Sequence, residues 1–127
     1  MKITFRNAAL DINPHNHALA ASLGNRQAKR IRRQFFCMYF KGHNLLGEVC
    51  EVTEFGRWQF LSFAKLKAFE EAAAASYIRA EVAMRLADCL PVTLDGVRAR
   101  WVARDVLDIA EETLWILGLA RERLVAA

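Results

Sequence analysis

Apolar residues recur with a helical period through the second half of this chain and with a shorter period through parts of the first. Over residues 64–90, Leu66, Phe69, Ala73, Tyr77, Ala80, Met84 and Ala87 form one stripe, and Lys67, Glu70, Glu71, Glu81, Arg85 and Asp88 gather opposite it. The i, i+4 pairs Lys67–Glu71 and Glu81–Arg85 support the same helix. The alanines at 72–75 would let another element approach closely, and Pro91 stops the helix. Beyond it, Val102, Val106, Ile109, Ala110, Thr113 and Leu117 continue a second apolar face. Residues 97–102 fit two patterns. They alternate like a strand after an Asp95-Gly96 turn, and they fit the first turns of a helix capped by Thr93 or Asp95. The unbroken apolar face favours the helix.

The first half reads differently. Residues 2–6 alternate, with Ile3 and Phe5 on one side, as in a half-buried strand that runs on through residues 8–12. Pro14 breaks the pattern, residues 18–23 suit a helical turn, and Gly24 suits a hinge. Ser22 or Asn25 can cap a helix over residues 25–36. The dense run 36–40 is a helix end or a buried strand, Gly42-His43-Asn44 a loop, and 45–55 with 57–63 a hairpin turning at Glu54-Phe55-Gly56. In that hairpin Trp58 and Phe60 share one face, Leu61 and Phe63 the other. The predicted architecture is α+β. A small antiparallel sheet of about three strands packs with a basic helix and two long C-terminal helices. Residues 1–127 form a single domain, with a basic β-α-β-β half over 1–63 and a helical half over 64–127.

Composition supports a folded chain: 54% of the 127 residues are apolar and 25% charged. No apolar run approaches the roughly 18 residues of a membrane span, and the start lacks a signal-peptide core, so a soluble cytoplasmic protein is expected. Cys37, Cys50 and Cys89 are odd in number and widely spaced, as reduced and mostly buried thiols are. The formal charge of +4 conceals a split. Residues 1–44 carry eight Lys or Arg against Asp11, a net +7, and residues 45–127 carry ten against thirteen acids, a net −3.

That split concentrates the candidate chemistry. On a helix over 25–36, Arg26, Lys29, Arg30 and Arg33 share one face at i, i+3, i+4 and i+7, with Ala28, Ile31 and Phe35 opposite and Arg32 off the main face. Such a face needs a counter-charge, which nucleic-acid phosphates or an acidic protein surface would supply. The plainer alternative is a solvated face balanced by acids of the later helices. Phe35, Phe36, Tyr39 and Phe40 lie nearby and could stack on bases, but so dense a run reads as core. Arg98, Arg100 and Arg104 form a secondary basic set that would extend the track if it lay beside the first. Trp101, Trp115 and Leu119 exceed what one buried face can take; they are either covered on both sides or form a homodimer interface. His15, His17 and His43 with Cys37 and Cys50 match no zinc spacing, and no metal or cofactor is expected. No nucleophile elbow, phosphate-binding glycine loop or zinc-protease motif is present, and Glu48, Glu51 and Glu54 do not share a strand face. A catalytic centre is therefore not expected.

Ala21-Ser22-Leu23 followed by Gln27-Ala28-Lys29-Arg30-Ile31, then Phe40-Lys41-Gly42, then Gly56-Arg57-Trp58 resembles a small phage-encoded anti-CRISPR protein over residues 1–63. Gly24-Asn25-Arg26 stands where that family has a shorter spacer, and the helices after residue 64 have no counterpart in it. The resemblance implies a compact inhibitor that docks on a CRISPR surveillance complex and blocks target-DNA binding, with Lys29 and Arg30 as the first contact positions. Direct binding of DNA or RNA, as a dimeric regulator through Trp115 and Leu119, is the alternative.

Overall fold

The computed structural model describes residues 24–54, 57 and 61–126, together with the backbone of 2–5 and 8–11. Three helices carry the fold: α1 over Asn25–Thr53, α2 over Phe63–Ala87 and α3 over Leu94–Ala126. The domain is all-α, which corrects the α+β expectation. The paired strands among the described residues are a short antiparallel ribbon, Lys2–Phe5 with Ala8–Asp11. Among the described residues the core comes from the three helices and their adjoining turns. The expected loop at Gly42 and first hairpin strand at 45–55 are instead the continuation of α1 as far as Thr53. Of the expected second strand, Leu61 and Ser62 lead into α2, while Trp58 and Phe60 lie outside the described residues. So do the breaks and caps proposed at Pro14, residues 18–23 and Ser22, and the histidines His15 and His17.

The physical reason lies in a seven-residue spacing that α1 keeps from end to end. Ala28, Phe35, Gly42 and Val49 are all buried, each seven residues from the last, with Ile31 buried in the interleaved register. Leu45 and Val52, which suggested a strand, are half-buried members of that interleaved register. In α2 the buried positions Leu66, Ala73, Ala80 and Ala87 keep the same spacing. In α3 both registers are buried: Gly96, Ala103, Ala110 and Leu117 in one, Ala99, Val106, Thr113 and Ala120 in the other. Burial of these seams outweighs the few tenths of a kcal/mol by which valine, threonine and cysteine disfavour a helix.

α3 is the central element. One core cluster joins Ile31 and Phe35 of α1 and Ala83 and Leu86 of α2 to Val102 and Val106 of α3. The other joins Val49, Leu66 and Ala73 to Leu117 and Ala120. Gly42 is buried at this packing surface, where a Cβ would make an ordinary contact with Ile109 Cγ2 at 3.5 Å. α1 runs parallel to α3, since Asn25 bonds Thr93 and Asp95 at one end and Gly42 faces Ile109 further along. α2 runs antiparallel to α3, with Arg121 reaching Glu70 and Leu90 close to the start of α3.

The helix ends follow local rules. Ser62 Oγ accepts the Lys65 N–H at 3.1 Å and starts α2. α2 ends at Ala87, before Pro91, and Thr93 Oγ1 accepts the Gly96 N–H at 3.2 Å to cap α3. Residues 97–102 are therefore helix. Among the described residues no helix is long and apolar enough to cross a membrane.

Two glycines separate backbone cost from packing need. Gly96 is required, because a Cβ there would fall on the carbonyl oxygen of Pro91. Gly47 is exposed mid-helix, and a Cβ there would have no atom within 4 Å. Gly47→Ala is expected to raise the unfolding free energy by about 0.5–1 kcal/mol. Gly96→Ala is expected to lower it by about 1–3 kcal/mol through overpacking. Urea titration of both variants checks the opposite signs.

Glu70 and Arg121 tie α2 to α3 through two hydrogen bonds of 2.8 and 2.5 Å. The Arg121 hydrogen bond, with its positive charge, holds the Glu70 carboxyl below its ordinary range, while burial works the other way. A carboxyl whose pKa is lower in the folded state stabilises the protein above its unfolded pKa, and this contribution is lost as pH falls through the folded pKa. Both side chains are partly exposed, so Arg121→Ala is expected to be only mildly destabilising at neutral pH. The difference from wild type should close in acid, once Glu70 is protonated; urea titrations at the two pH values measure it.

Candidate functional site

The heptad seam of α1 decides what points outward. With Ala28, Ile31 and Phe35 turned in, Arg26, Lys29, Arg30 and Arg33 are turned out, and all four are exposed. The first acidic residue along α1 is Glu48, so the helix offers these cations no acidic neighbour of its own at i, i+4. Among the described residues none of the four takes part in an ion pair. The basic face proposed from spacing is thus assembled on one continuous helix.

Arg32 differs from these four. It points toward α3, its side chain 18% exposed, and Nη1 lies 3.2 Å from Asp95 Oδ1. Asp95 Oδ2 also accepts a hydrogen bond from Asn25 Nδ2 at 3.3 Å, and Asn25 Oδ1 accepts one from the Thr93 hydroxyl at 2.6 Å. Asn25 therefore clamps the start of α1 to the turn before α3, while Gly24 occupies the capping position and its N–H donates to Gln27 Oε1 at 2.9 Å. This polar cluster fixes the direction in which the basic face looks.

Phe35 is fully buried, but Phe36 and Phe40 are 41% and 61% exposed and Tyr39 is half-buried. This corrects the expectation that the whole aromatic run is core. Position 36 is one helical turn beyond Arg33, and 40 is one turn beyond 36, so the rings extend the basic face along α1. The Tyr39 ring meets Phe40 edge-on with centroids 5.6 Å apart and lies beside exposed His43 at 6.0 Å. The signal missed in the sequence was the spacing 28, 35, 42, 49. It puts 36 and 40 outside as firmly as it puts 35 inside.

The secondary basic set is only partly available. The parallel packing of α1 and α3 brings Arg98 to the same end of the bundle as the basic face, and Arg98 is exposed. Arg100 is half-buried, its Nη2 donating to the Leu90 carbonyl at 2.5 Å, and so it braces the turn. Arg104 forms an exposed pair with Asp108 at 3.9 Å. Trp101 and Trp115 are both 66% exposed and Leu119 is 36% exposed on the outer side of α3, so the helices do not cover them.

The remaining chemistry is muted. Burial, with Asp88 adding to it, pushes the Cys89 thiol pKa up; burial followed by Glu54 and Glu112 does the same for Cys50. Both are thereby held as weakly nucleophilic thiols. Glu48 and Glu51, read as strand residues from the sequence, lie on α1 beside an open groove of about 710 Å³. Its other walls include Leu61, Lys65 and Phe69, with the Lys65 ammonium 5.8 Å from the Phe69 ring centre. This groove is at the end of α1 away from the basic face. Among the described residues no three His, Cys, Asp or Glu side chains converge as metal ligands do.

No family model matches the chain, and neither a curated protein nor a solved structure matches it.

The Asn25–Asp95–Arg32 cluster carries its own prediction. Among the described residues the buried Arg32 Nε meets no acceptor, so Asp95 is the anion that offsets this guanidinium. Asp95→Ala is expected to cost about 3 kcal/mol by leaving a mostly buried charge unpaired. Amide hydrogen exchange should show the first turns of α1 opening more than the rest.

Proposed function

We propose that this is a non-enzymatic binding protein whose α1 outer face engages nucleic-acid phosphates, on a free strand or within a nucleic-acid-guided complex whose target binding it blocks. One observation carries the reading. Arg26, Lys29, Arg30 and Arg33 are exposed together on one helix, and the exposed rings of Phe36 and Phe40 follow them along the same side. Cations at this density attract a polyanion through phosphate contacts and counterion release. Exposed rings add stacking of about 1–3 kcal/mol per base, which unpaired bases can use and bases stacked within a duplex cannot. Single-stranded nucleic acid is therefore the favoured form of the ligand.

The resemblance to anti-CRISPR proteins supports the guided-complex form of this reading through Lys29 and Arg30, which lie within the face. It does not carry a binding mode over, because Phe40-Lys41-Gly42 is the middle of a helix and not the entry to a strand.

Fluorescence anisotropy with labelled single-stranded and duplex oligonucleotides tests the proposal. The single strand should bind more tightly, and its affinity should fall steeply with salt. Lys29→Glu with Arg30→Glu should weaken binding by a factor of about 10 or more and flatten the salt dependence. Phe36→Ala with Phe40→Ala should remove the preference for the single strand. Unchanged affinity in the charge-reversed variant, with helix content intact by circular dichroism, would mean the face is not used. If the chain ignores free oligonucleotides but blocks target binding by a guided complex, and the same reversal abolishes that block, the face belongs to the complex.

A further inference from the structure

The bundle is polarised along its length. At the end where α1 and α3 both begin lie Arg26, Lys29, Arg30, Arg33 and Arg98. Further along α3 its outer side is mostly acidic, with Asp105, Asp108, Glu111 and Glu112 all exposed and Arg104 set against Asp108. Large apolar side chains sit within both zones: Phe36 and Phe40 beyond the basic stretch of α1, Trp101 and Trp115 on either side of the acids of α3.

From this complementarity we infer that the outer flank of α1 and α3 docks a second copy of the chain in antiparallel orientation. Because α1 and α3 are parallel neighbours within one chain, a two-fold axis perpendicular to them lays each α1 along the other copy's α3. The two contacts are identical, so the pair closes on itself. The register follows from the positions along the bundle, where Asn25 is level with Asp95 and Gly42 with Ile109. An axis passing near Phe36 sets Phe36 and Phe40 against Trp101 of the second copy. The same axis brings Arg30 and Arg33 level with its Glu111 and Asp108. It also sets Arg26 near its Trp115, where a guanidinium over an indole face is favourable. A parallel pair would instead put cations on cations. The apolar contacts hold the centre and the charges select the orientation.

Charge exchange tests this directly. In sedimentation velocity at low salt the wild-type chain should show about twice its 14.4 kDa mass, and high salt should shift it toward the monomer. A chain with Arg30→Glu and Arg33→Glu should be monomeric, since both of its facing surfaces are then acidic. A chain with Asp108→Arg and Glu111→Arg should be monomeric for the opposite reason. Mixed in equal amounts, the two monomeric variants should form a one-to-one pair, because each supplies the charge the other lacks. Trp101→Ser should abolish pairing in every combination, and circular dichroism should show unchanged helix content for each variant. A monomeric wild-type chain at all salt concentrations would overturn the inference. So would a dimer that survives either charge reversal, or two variants that stay apart when mixed.

Discussion

The packing seam along α3 is the constraint on which the rest of the structure depends. Its buried residues alternate between two heptad registers, and most are small: Gly96, Ala99, Ala103, Ala110 and Ala120. Small side chains let neighbouring backbones come close, and Val106 and Leu117 fill what the alanines leave open. Both other helices pack on this seam, which is why the two core clusters share α3 as their common element. Loss of volume control here would disturb both clusters at once, since α3 contributes to each.

Everything proposed for function lies on the outside of that seam. A helix that must bury positions 28, 35, 42 and 49 has no freedom over which residues it presents to water. The clamp of Asn25 and Arg32 on Asp95 then fixes α1 parallel to α3, and this direction is what gathers the cations at one end. Had α1 run the other way, Arg30 and Arg33 would lie beside Glu111 and Glu112 of the same chain and the charges would cancel internally. As it is, none of the four outward cations is in an ion pair among the described residues. Nucleic acid and a second copy would draw on the same residues, so a pair formed through this flank and a bound strand exclude one another.

The long helices were legible because their periodic pattern is long and their stops are chemical. The helix expected over 64–90 begins at Phe63 and ends at Ala87, and Thr93 caps the last helix as one of two residues foreseen for it. The outward placement of Arg26, Lys29, Arg30 and Arg33 was also legible, as was the separate position of Arg32. The stretch from Phe36 to Thr53 was not. Gly42, His43 and Asn44 carry the composition of a loop, and Val49, Cys50, Val52 and Thr53 that of a strand. Local preference of this kind amounts to tenths of a kcal/mol per residue, and burial of Val49 against α3 exceeds it.

By itself, then, the sequence determined the helical period of the second half, the charge split between front and back, and which residues of α1 share its basic face. These are local properties, set by spacing within one helix or by composition. Tertiary structure decided that Gly42 lies inside a helix, because burial of the long seam against α3 overrides the loop-like local composition. It decided that Trp101 and Trp115 are exposed, because exposure depends on which neighbour arrives. It also decided that Arg98 shares an end with the basic face while Arg100 braces a turn, because the distance between residues far apart in sequence is set by how the helices pack.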